Sequence, residues 1–372
     1  MRRVAIAAAA TSKFTKSSDR PIFELACEPC IEILRETEKK GERKKDIDAV
    51  LLSTCSQEQY SSAIVSEMLG LQPKVSQRID NLCNSGTNAI ASAYSMIAAG
   101  LADSALIVGA EKADSSGNRL TWDVTRGEFN FPVHWAAMFA RAHMRRYGTT
   151  EEQMAQVSVN NHEKAAENPD ALFYGKRVSL QQVMSSKKIA EPVKLLDCSA
   201  PCDGASAVLL VSEQRAKKLE NPVWIKGIGQ QTSGASFAST PDLTELGTAR
   251  RAAKEAYEMA GIKKPAQEID VAELHDAFTI LEIMAYEDLG FAARGKGGNF
   301  VSENDSIAIN TRGGILGCGH PVGATGVSQV AEVALQLAGR KAGNRQVKNC
   351  KTGLVHNLAA AGSSATVIVL GV

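Results

Sequence analysis

The segment IDAVLLS at Ile47–Ser53 returns as IDVAELH at Ile269–His275, and this repetition constrains the fold more than any other feature of the chain. Each copy follows a helical stretch ending near a glycine, Gly41 or Gly261, and a lysine-rich turn. Upstream lie two candidate strands, VAIAAAA from Val4 and VWIKGIG from Val223; downstream, GASAVLLVS at Gly204–Ser212 matches GSSATVIVL at Gly362–Leu370. Several matched segments in one order mean a chain of two similar halves. Strands alternating with helices predict an α/β fold with mostly parallel sheets, whose sites lie beyond the carboxyl ends of the strands.

Between the matched strands each half carries a loop and then a helix: Cys83-Asn84-Ser85-Gly86 before TNAIASAYSMIAAG, and His320-Pro321-Val322-Gly323 before ATGVSQVAEVALQLAG. Cys83 and His320 are therefore equivalent, each three residues ahead of a glycine at a helix start. Both helices are apolar nearly all round, the pattern of a buried helix. A pseudo-twofold through them brings both loops to one crevice. The halves differ at one point, where the first inserts residues from Ala113 to Pro201 and the second crosses with LAAA. An insertion at the active edge is expected to be a lid or substrate-binding subdomain, with two helices parted by a turn at Gly148 and Thr150 as an N-cap. The expected division is 1–112 with 202–219, the insertion 113–201, and 220–372.

At 372 residues the chain can bury cores without disulfide or metal, and its net charge of +1 favours neither nucleic acid nor an anionic membrane. An anionic substrate must be held by local groups. The opening MRRVAIAAAATSKF has the arginines, apolar run and small residues of a short secretory leader, but its match to Val223 supports a first β-strand. No stretch reaches the ~20 apolar residues of a spanning helix, so a soluble cytoplasmic protein is expected. In that reducing setting the eight cysteines stay thiols. The close pairs Cys27/Cys30 and Cys198/Cys202 lack histidines to complete a zinc site; they are expected to be buried small side chains, and no metal is expected.

Cys83 has two readings. Alone, a cysteine in the small-residue loop NLCNSGTNAI fills space. A helix N-terminus, however, lowers a thiol's pKa from its usual value of about 8.5, and an adjacent imidazole can take the proton outright. The symmetry with His320 favours the reactive reading. His275 ends a repeated strand and points toward the same crevice, whereas His134, His143, His162 and His356 have the contexts of structural histidines.

NLCNSGTNAI, HDAFTI, NTRGGILGCGHPVGATG and HNLAAAGSSA together resemble the active-site loops of the thiolase superfamily, and HDAF with HNL is similar to its archaeal and sterol-carrier-protein-associated branch. The likeness extends over nearly the whole chain, LLDCSAPCDGASAV included. The resemblance implies the thiolase fold, two duplicated βαβαβαββ halves in five layers (αβαβα) with an inserted loop subdomain. It also implies an acetyl-CoA C-acetyltransferase that makes or cleaves acetoacetyl-CoA, with coenzyme A as substrate and product and no further cofactor. Cys83 would be acylated, His320 would activate it, and His275 with His320 would line an oxyanion site. The turn after Asn357 would add a backbone donor, expected at Ala359. The alternatives are a longer or aromatic acyl chain, a non-catalytic thiolase-like subunit or lipid carrier, and a cysteine hydrolase. As partners the resemblance implies a second or fourth copy of the chain, a small zinc-ribbon scaffold protein and a hydroxymethylglutaryl-CoA synthase.

The sequence departs from that pattern in one respect. Many thiolases move the α-proton with a second cysteine, in a Cys-x-Gly turn or as the third residue of His-Asp-Cys-Phe; here Asn357 and Ala277 stand there, and neither is a base. Cys318, two residues before His320, substitutes if its thiol reaches the crevice; otherwise His320 or His275 moves both protons. Nucleotide contacts are expected from Arg141, Arg145 or Arg146, with Met138 and Ser233 beside a pantetheine tunnel.

Overall fold

A computed structural model describes residues 1–39, 44–113, 127–129, 131–341, 343–360 and 362–372. Gly41 and residues 114–126 of the insertion lie outside the described residues. The strands are β1 (Val4–Thr11), β2 (Ala49–Ser53), β3 (Val75–Ile79), β4 (Ser104–Glu111), β5 (Lys188–Ala190), β6 (Val193–Lys194), β7 (Gly204–Ser212), β8 (Val223–Thr232), β9 (Val271–Glu273), β10 (Ala308–Ile309), β11 (Thr352–Ala359) and β12 (Ser364–Gly371). β5 and β6 pair with each other, and the rest form one ten-stranded sheet, β10-β9-β11-β12-β8-β1-β7-β4-β2-β3.

That order displays the duplication. Outward from the β1–β8 seam, one half runs β1-β7-β4-β2-β3 and the other β8-β12-β11-β9-β10, so every strand has a counterpart at the same station. In both halves the outer pairs are parallel and the inner pairs antiparallel. The seam itself is short, with Ala5 opposite Trp224 and Ile6 opposite Val223. Val4–Thr11 is thus a central strand of the sheet. Among the described residues no helix is long and apolar enough to cross a membrane.

Period-two alternation along these strands separates the layers. Ala105 and Ile107 of β4 and Ile368 and Leu370 of β12 share one core with the helices Ser85–Ala98 and Val322–Leu337. Leu106 and Val108 instead meet Leu25, Cys30 and Ile33 of the helix Ile22–Lys39, and Val367 and Val369 meet Ala249, Ala252, Ile280 and Met284 on the far side. Two central helices therefore lie between the two half-sheets, with outer helices beyond each: the five layers of the thiolase fold. Each large side chain fully buried in these cores contributes roughly 1.5–3 kcal/mol.

The central helices cross backbone to backbone beside the two loops of interest. A Cβ on Gly86 would stand 2.6 Å from the Val327 nitrogen, and one on Gly326 would stand 2.7 Å from the Thr87 nitrogen. Both contacts are with main chain, which cannot rotate away. Gly86→Ala is therefore expected to cost about 1–3 kcal/mol or more through overpacking. A urea midpoint equal to that of the parent protein would show that the helices do not cross this closely.

In the insertion, the helices Pro132–Tyr147 and Glu151–Ala166 are parted by Gly148 at φ 75°, a left-handed turn that suits glycine. Thr150 caps the second helix reciprocally with Gln153, through bonds of 3.2 and 3.0 Å.

Candidate active site

Cys83 sits in a single 3-10 turn, Leu82–Asn84, between β3 and the helix Ser85–Ala98. Leu82 takes φ 50°, a left-handed geometry that few side chains adopt, and the turn is clamped by polar contacts. Ser85 Oγ donates to the Leu82 carbonyl at 2.6 Å and accepts the Asn81 N–H at 2.7 Å. Asn84 is tied to Ser364 at 3.1 Å and to Thr87 at 2.6 Å, linking the turn to β12.

From the other half, His320 enters just ahead of the helix Val322–Leu337. The N-terminus of that helix is pinned to the first half: Glu111 accepts the Gly323 N–H at 3.0 Å and the Cys55 N–H at 2.8 Å, while Ser53 Oγ donates to the Gly323 carbonyl at 2.8 Å. His320 Nε2 then lies 3.2 Å from Cys83 Sγ. The imidazole's other nitrogen, Nδ1, is 2.8 Å from Thr325 Oγ1, whose hydroxyl donates to the Pro321 carbonyl at 3.1 Å. Thr325 is left to accept, so the His320 proton belongs on Nδ1 and Nε2 offers its lone pair to the thiol.

His275 follows β9 and is buried. Its ring centroid is 5.5 Å from that of His320, nearly perpendicular. Cys83 Sγ and one nitrogen from each of His275 and His320 all lie within 4.8 Å of one another, a donor set that a soft divalent metal can use. The next residue, Asp276, fixes the two histidine loops together by accepting the N–H groups of Ile315 at 2.6 Å and Leu316 at 3.1 Å. Behind them a buried Arg312–Glu273 ion pair at 3.3 Å braces the segment that leads to His320.

Burial dominates the electrostatics. It pushes the Cys83 thiol up to about 12, with the N–H groups of Cys83 and Ala360 pulling the other way and Glu111 pushing further up. Burial, and then the Arg312 charge, bring His320 down to about 4. His275 is held well below its ordinary value by burial first, then by His320 and His356. This differs from the expectation of a thiol lowered at the helix start: burial outweighs the two N–H groups that favour the thiolate. The resting pair is a neutral thiol hydrogen-bonded to a neutral imidazole.

The three groups form the floor of a 380 Å³ cavity whose walls include Leu82, Phe131, Val133, Ile189, Phe278 and Leu281. Phe131 and Val133 come from the insertion, whose helix Pro132–Tyr147 begins at the cavity wall. Cys198 also lines it, its thiol donating to the Lys194 carbonyl at 3.2 Å, so it is more than the buried filler expected from its spacing. No local motif marks it; it arrives by an antiparallel bridge between Cys198 and Phe278. The backbone donor facing Cys83 is that of Ala360 rather than Ala359. Ala359 closes the β11–β12 ladder opposite Ser364, and Ala360, at φ 51°, turns out of it.

Other expected residues lie elsewhere. The Cys318 thiol donates to the Arg312 carbonyl at 2.9 Å and packs with Phe14, Ala165 and Cys202 rather than lining the cavity, and Gly319, at φ 94°, separates it from His320. Met138 is 44% exposed on the helix that supplies Val133. Ser233 is bonded to the Ser363 carbonyl at 2.7 Å through its N–H and is not a wall of the cavity. Arg146 pairs with Asp242 at 2.9 Å, while Arg141 and Arg145 are exposed. Cys27 and Cys30 are buried, as expected. His143 and His162 are buried and hydrogen-bonded, to Thr149 and Ser158.

Residues 4–214 match the thiolase N-terminal domain and residues 229–372 the thiolase C-terminal domain-like family. The chain belongs to the thiolase family. It is 35% identical over 387 residues to an acetyl-CoA acetyltransferase of Methanothermobacter thermautotrophicus, covering 99% of each chain. It is 33% identical to the benzoylsuccinyl-CoA thiolase subunit BbsB of Thauera aromatica, covering 70% of each. Among solved structures, the Ltp2-ChsH2(DUF35) aldolase superposes with a TM-score of 0.86 at 28% identity, over 99% of this chain and 97% of that one.

Proposed function

We propose that the protein is an acetyl-CoA C-acetyltransferase that works through an acyl-Cys83 intermediate. The observation that carries this reading is the 3.2 Å contact of Cys83 Sγ with a His320 Nε2 whose partner nitrogen is committed to Thr325. Sulfur attacks the thioester carbonyl as its proton passes to His320. Collapse of the tetrahedral adduct expels coenzyme A thiolate, which takes that proton back and leaves as the free thiol. Nε2, free again, accepts the α-proton of a second acetyl-CoA. The enolate carbon bonds to the acyl carbon, Cys83 departs as thiolate and recovers its proton from His320, and 3-ketoacyl-CoA is released. Thiolysis is the reverse.

With Cys318 behind the site, both proton transfers are assigned to His320, whose Nε2 meets the Cys83 sulfur. The N–H groups of Cys83 and Ala360 face the sulfur and suit the oxyanion of the acyl-cysteine, and a His275 N–H suits the enolate oxygen; such donors are each worth a few kcal/mol. Homo-oligomerisation and a zinc-ribbon partner belong to the same proposal and are checked by native mass spectrometry.

The cavity supports a second reading of the acyl group. Its 380 Å³ and its aromatic and aliphatic walls suit a unit bulkier than acetyl. Thiolysis kinetics on a series from acetoacetyl-CoA to aryl 3-ketoacyl-CoA separate the two. A bulky-acyl enzyme gains about fourfold in kcat/KM per methylene that the walls bury, at about 0.8 kcal/mol each, whereas an acetyl-specific one loses as the chain grows. No coenzyme A-dependent cleavage with any member would overturn both readings and leave a carrier or a cysteine hydrolase.

A further inference from the structure

The proton on His275 is set by a chain of buried amides. Gln329, on the helix Val322–Leu337, donates Nε2–H to the Leu274 carbonyl at 2.8 Å and, more loosely, to the His356 carbonyl at 3.4 Å. That orientation leaves its Oε1 only to accept. Asn357 of β11 answers with Nδ2, donating to Gln329 Oε1 at 2.7 Å and, with its second hydrogen, to His275 Nδ1 at 3.2 Å. A nitrogen that accepts carries no proton, so in the neutral ring the proton sits on Nε2. Gln329 and Asn357 are fully buried, and His275 nearly so, so neighbouring protein groups set the choice. Asn357 Oδ1 is buried with no hydrogen-bond partner. It is the atom that would accept a proton from Nδ1 if the amide turned over, but turning over would set Oδ1 against Gln329 Oε1.

We propose that Gln329 and Asn357 are positioning residues that hold His275 as an Nε2–H donor, and that in doing so they deny the Cys83–His275–His320 cluster to divalent metal. His320 is the opposite tautomer, its Nε2 lone pair free. Two neighbouring histidines are thus kept in different protonation forms by different partners, one as acceptor and one as donor. With its Nε2 occupied by hydrogen, His275 ligates only by changing tautomer at the cost of the Asn357 contact, so a metal arriving at the cluster finds only Cys83 and His320 ready to bind. A carboxylate in place of the Asn357 amide would accept Nδ1–H, move the lone pair to Nε2 and create the carboxylate–histidine pattern that orients metal-binding imidazoles.

The test compares the wild-type protein with Asn357→Asp, Gln329→Leu and Gln329→Glu, each with ¹⁵N-labelled histidine. Imidazole nitrogen NMR, with His275→Asn to assign the signal, should place the wild-type proton on Nε2. Asn357→Asp should move it to Nδ1, and Gln329→Leu, which frees Asn357 to turn, should move it in part. Gln329→Glu still accepts from Asn357 Nδ2 and should keep the wild-type tautomer. Zn²⁺ titrated against a chromophoric chelator should bind Asn357→Asp about 10- to 100-fold more tightly than wild type. That gain should disappear when Cys83→Ala is added. Condensation by Asn357→Asp should fall in kcat with KM nearly unmoved.

A wild-type proton on Nδ1 overturns the proposal, as do Asn357→Asp and Gln329→Leu proteins with wild-type tautomer and Zn²⁺ affinity. The kinetic part rests on the acyltransferase reading, but the tautomer and metal measurements do not. A protein that never acylates yet gains zinc with Asn357→Asp would sink that reading alone.

Discussion

Wild-type protein is expected to carry an acetyl adduct after exposure to acetyl-CoA, and Cys83→Ala to lose it together with about 10⁶-fold in kcat, the scale at which removal of a covalent nucleophile leaves only binding and oxyanion donors. Its fold should survive. Alanine is close in size to cysteine, and the turn is held by Ser85, Asn84 and their partners rather than by the sulfur. Far-UV circular dichroism and a urea midpoint near that of the parent would confirm this, so that lost turnover is read as lost chemistry. Intact-mass spectrometry before and after acetyl-CoA supplies the direct readout. Cys198 makes the experiment discriminating, because a second thiol lines the same cavity. An adduct that persists in Cys83→Ala and vanishes in Cys198→Ala would put the nucleophile on the wrong loop, and the reading of the Cys83–His320 pair would fail with it.

What the sequence revealed of this site, and what it hid, follows from where each signal resides. The equivalence of Cys83 and His320 is written in the chain as a repeat, since each stands three residues before a close-packed glycine: Gly86 lies against the other central helix at Gly326 and Val327, and Gly323 against Ser53 and Thr54. His275 follows from the end of a repeated strand. The donor at Ala360 was missed by one residue because the ladder between β11 and β12 runs one pair further than the turn-like AAAG suggests. Cys318 and Met138 show the limit of spacing arguments. Cys318, two positions from His320, packs with Phe14 and Cys202 and not in the cavity, and one helix presents Val133 to the cavity and Met138 to solvent. The thiol's electrostatics could not be read from a helix start, because burial is a property of the packed whole. Gln329 carries no local signature either: its role exists only once a helix of one register lies across the ends of β9 and β11.

Replacing His320 by asparagine should cost about 10²–10⁴-fold in kcat/KM, the usual contribution of a positioned general base, and should change the shape of the pH profile. With the thiol pushed up to about 12, roughly one molecule in 10⁵ carries a thiolate at pH 7. On the proposed mechanism the wild-type protein escapes that penalty because Nε2 takes the proton during attack, and Nε2 is available wherever the imidazole is neutral. Since His320 is brought down to about 4, wild-type activity should stay level from about pH 8 well into mild acid, and fall only as pH drops toward 4. The asparagine variant depends on pre-formed thiolate, so its rate should climb about tenfold per pH unit from neutrality upward. Stability bounds the acid side of the comparison. The folded pKa of His320 lies below the ordinary value of about 6.5, so between those values the unfolded chain binds more protons, and stability is lost as pH falls through that window. Circular dichroism across the same range separates unfolding from protonation of an intact site. A variant whose profile stays as level as the wild type would mean that the Cys83 proton leaves by another route, and the 3.2 Å thiol–imidazole contact would then be packing rather than catalysis.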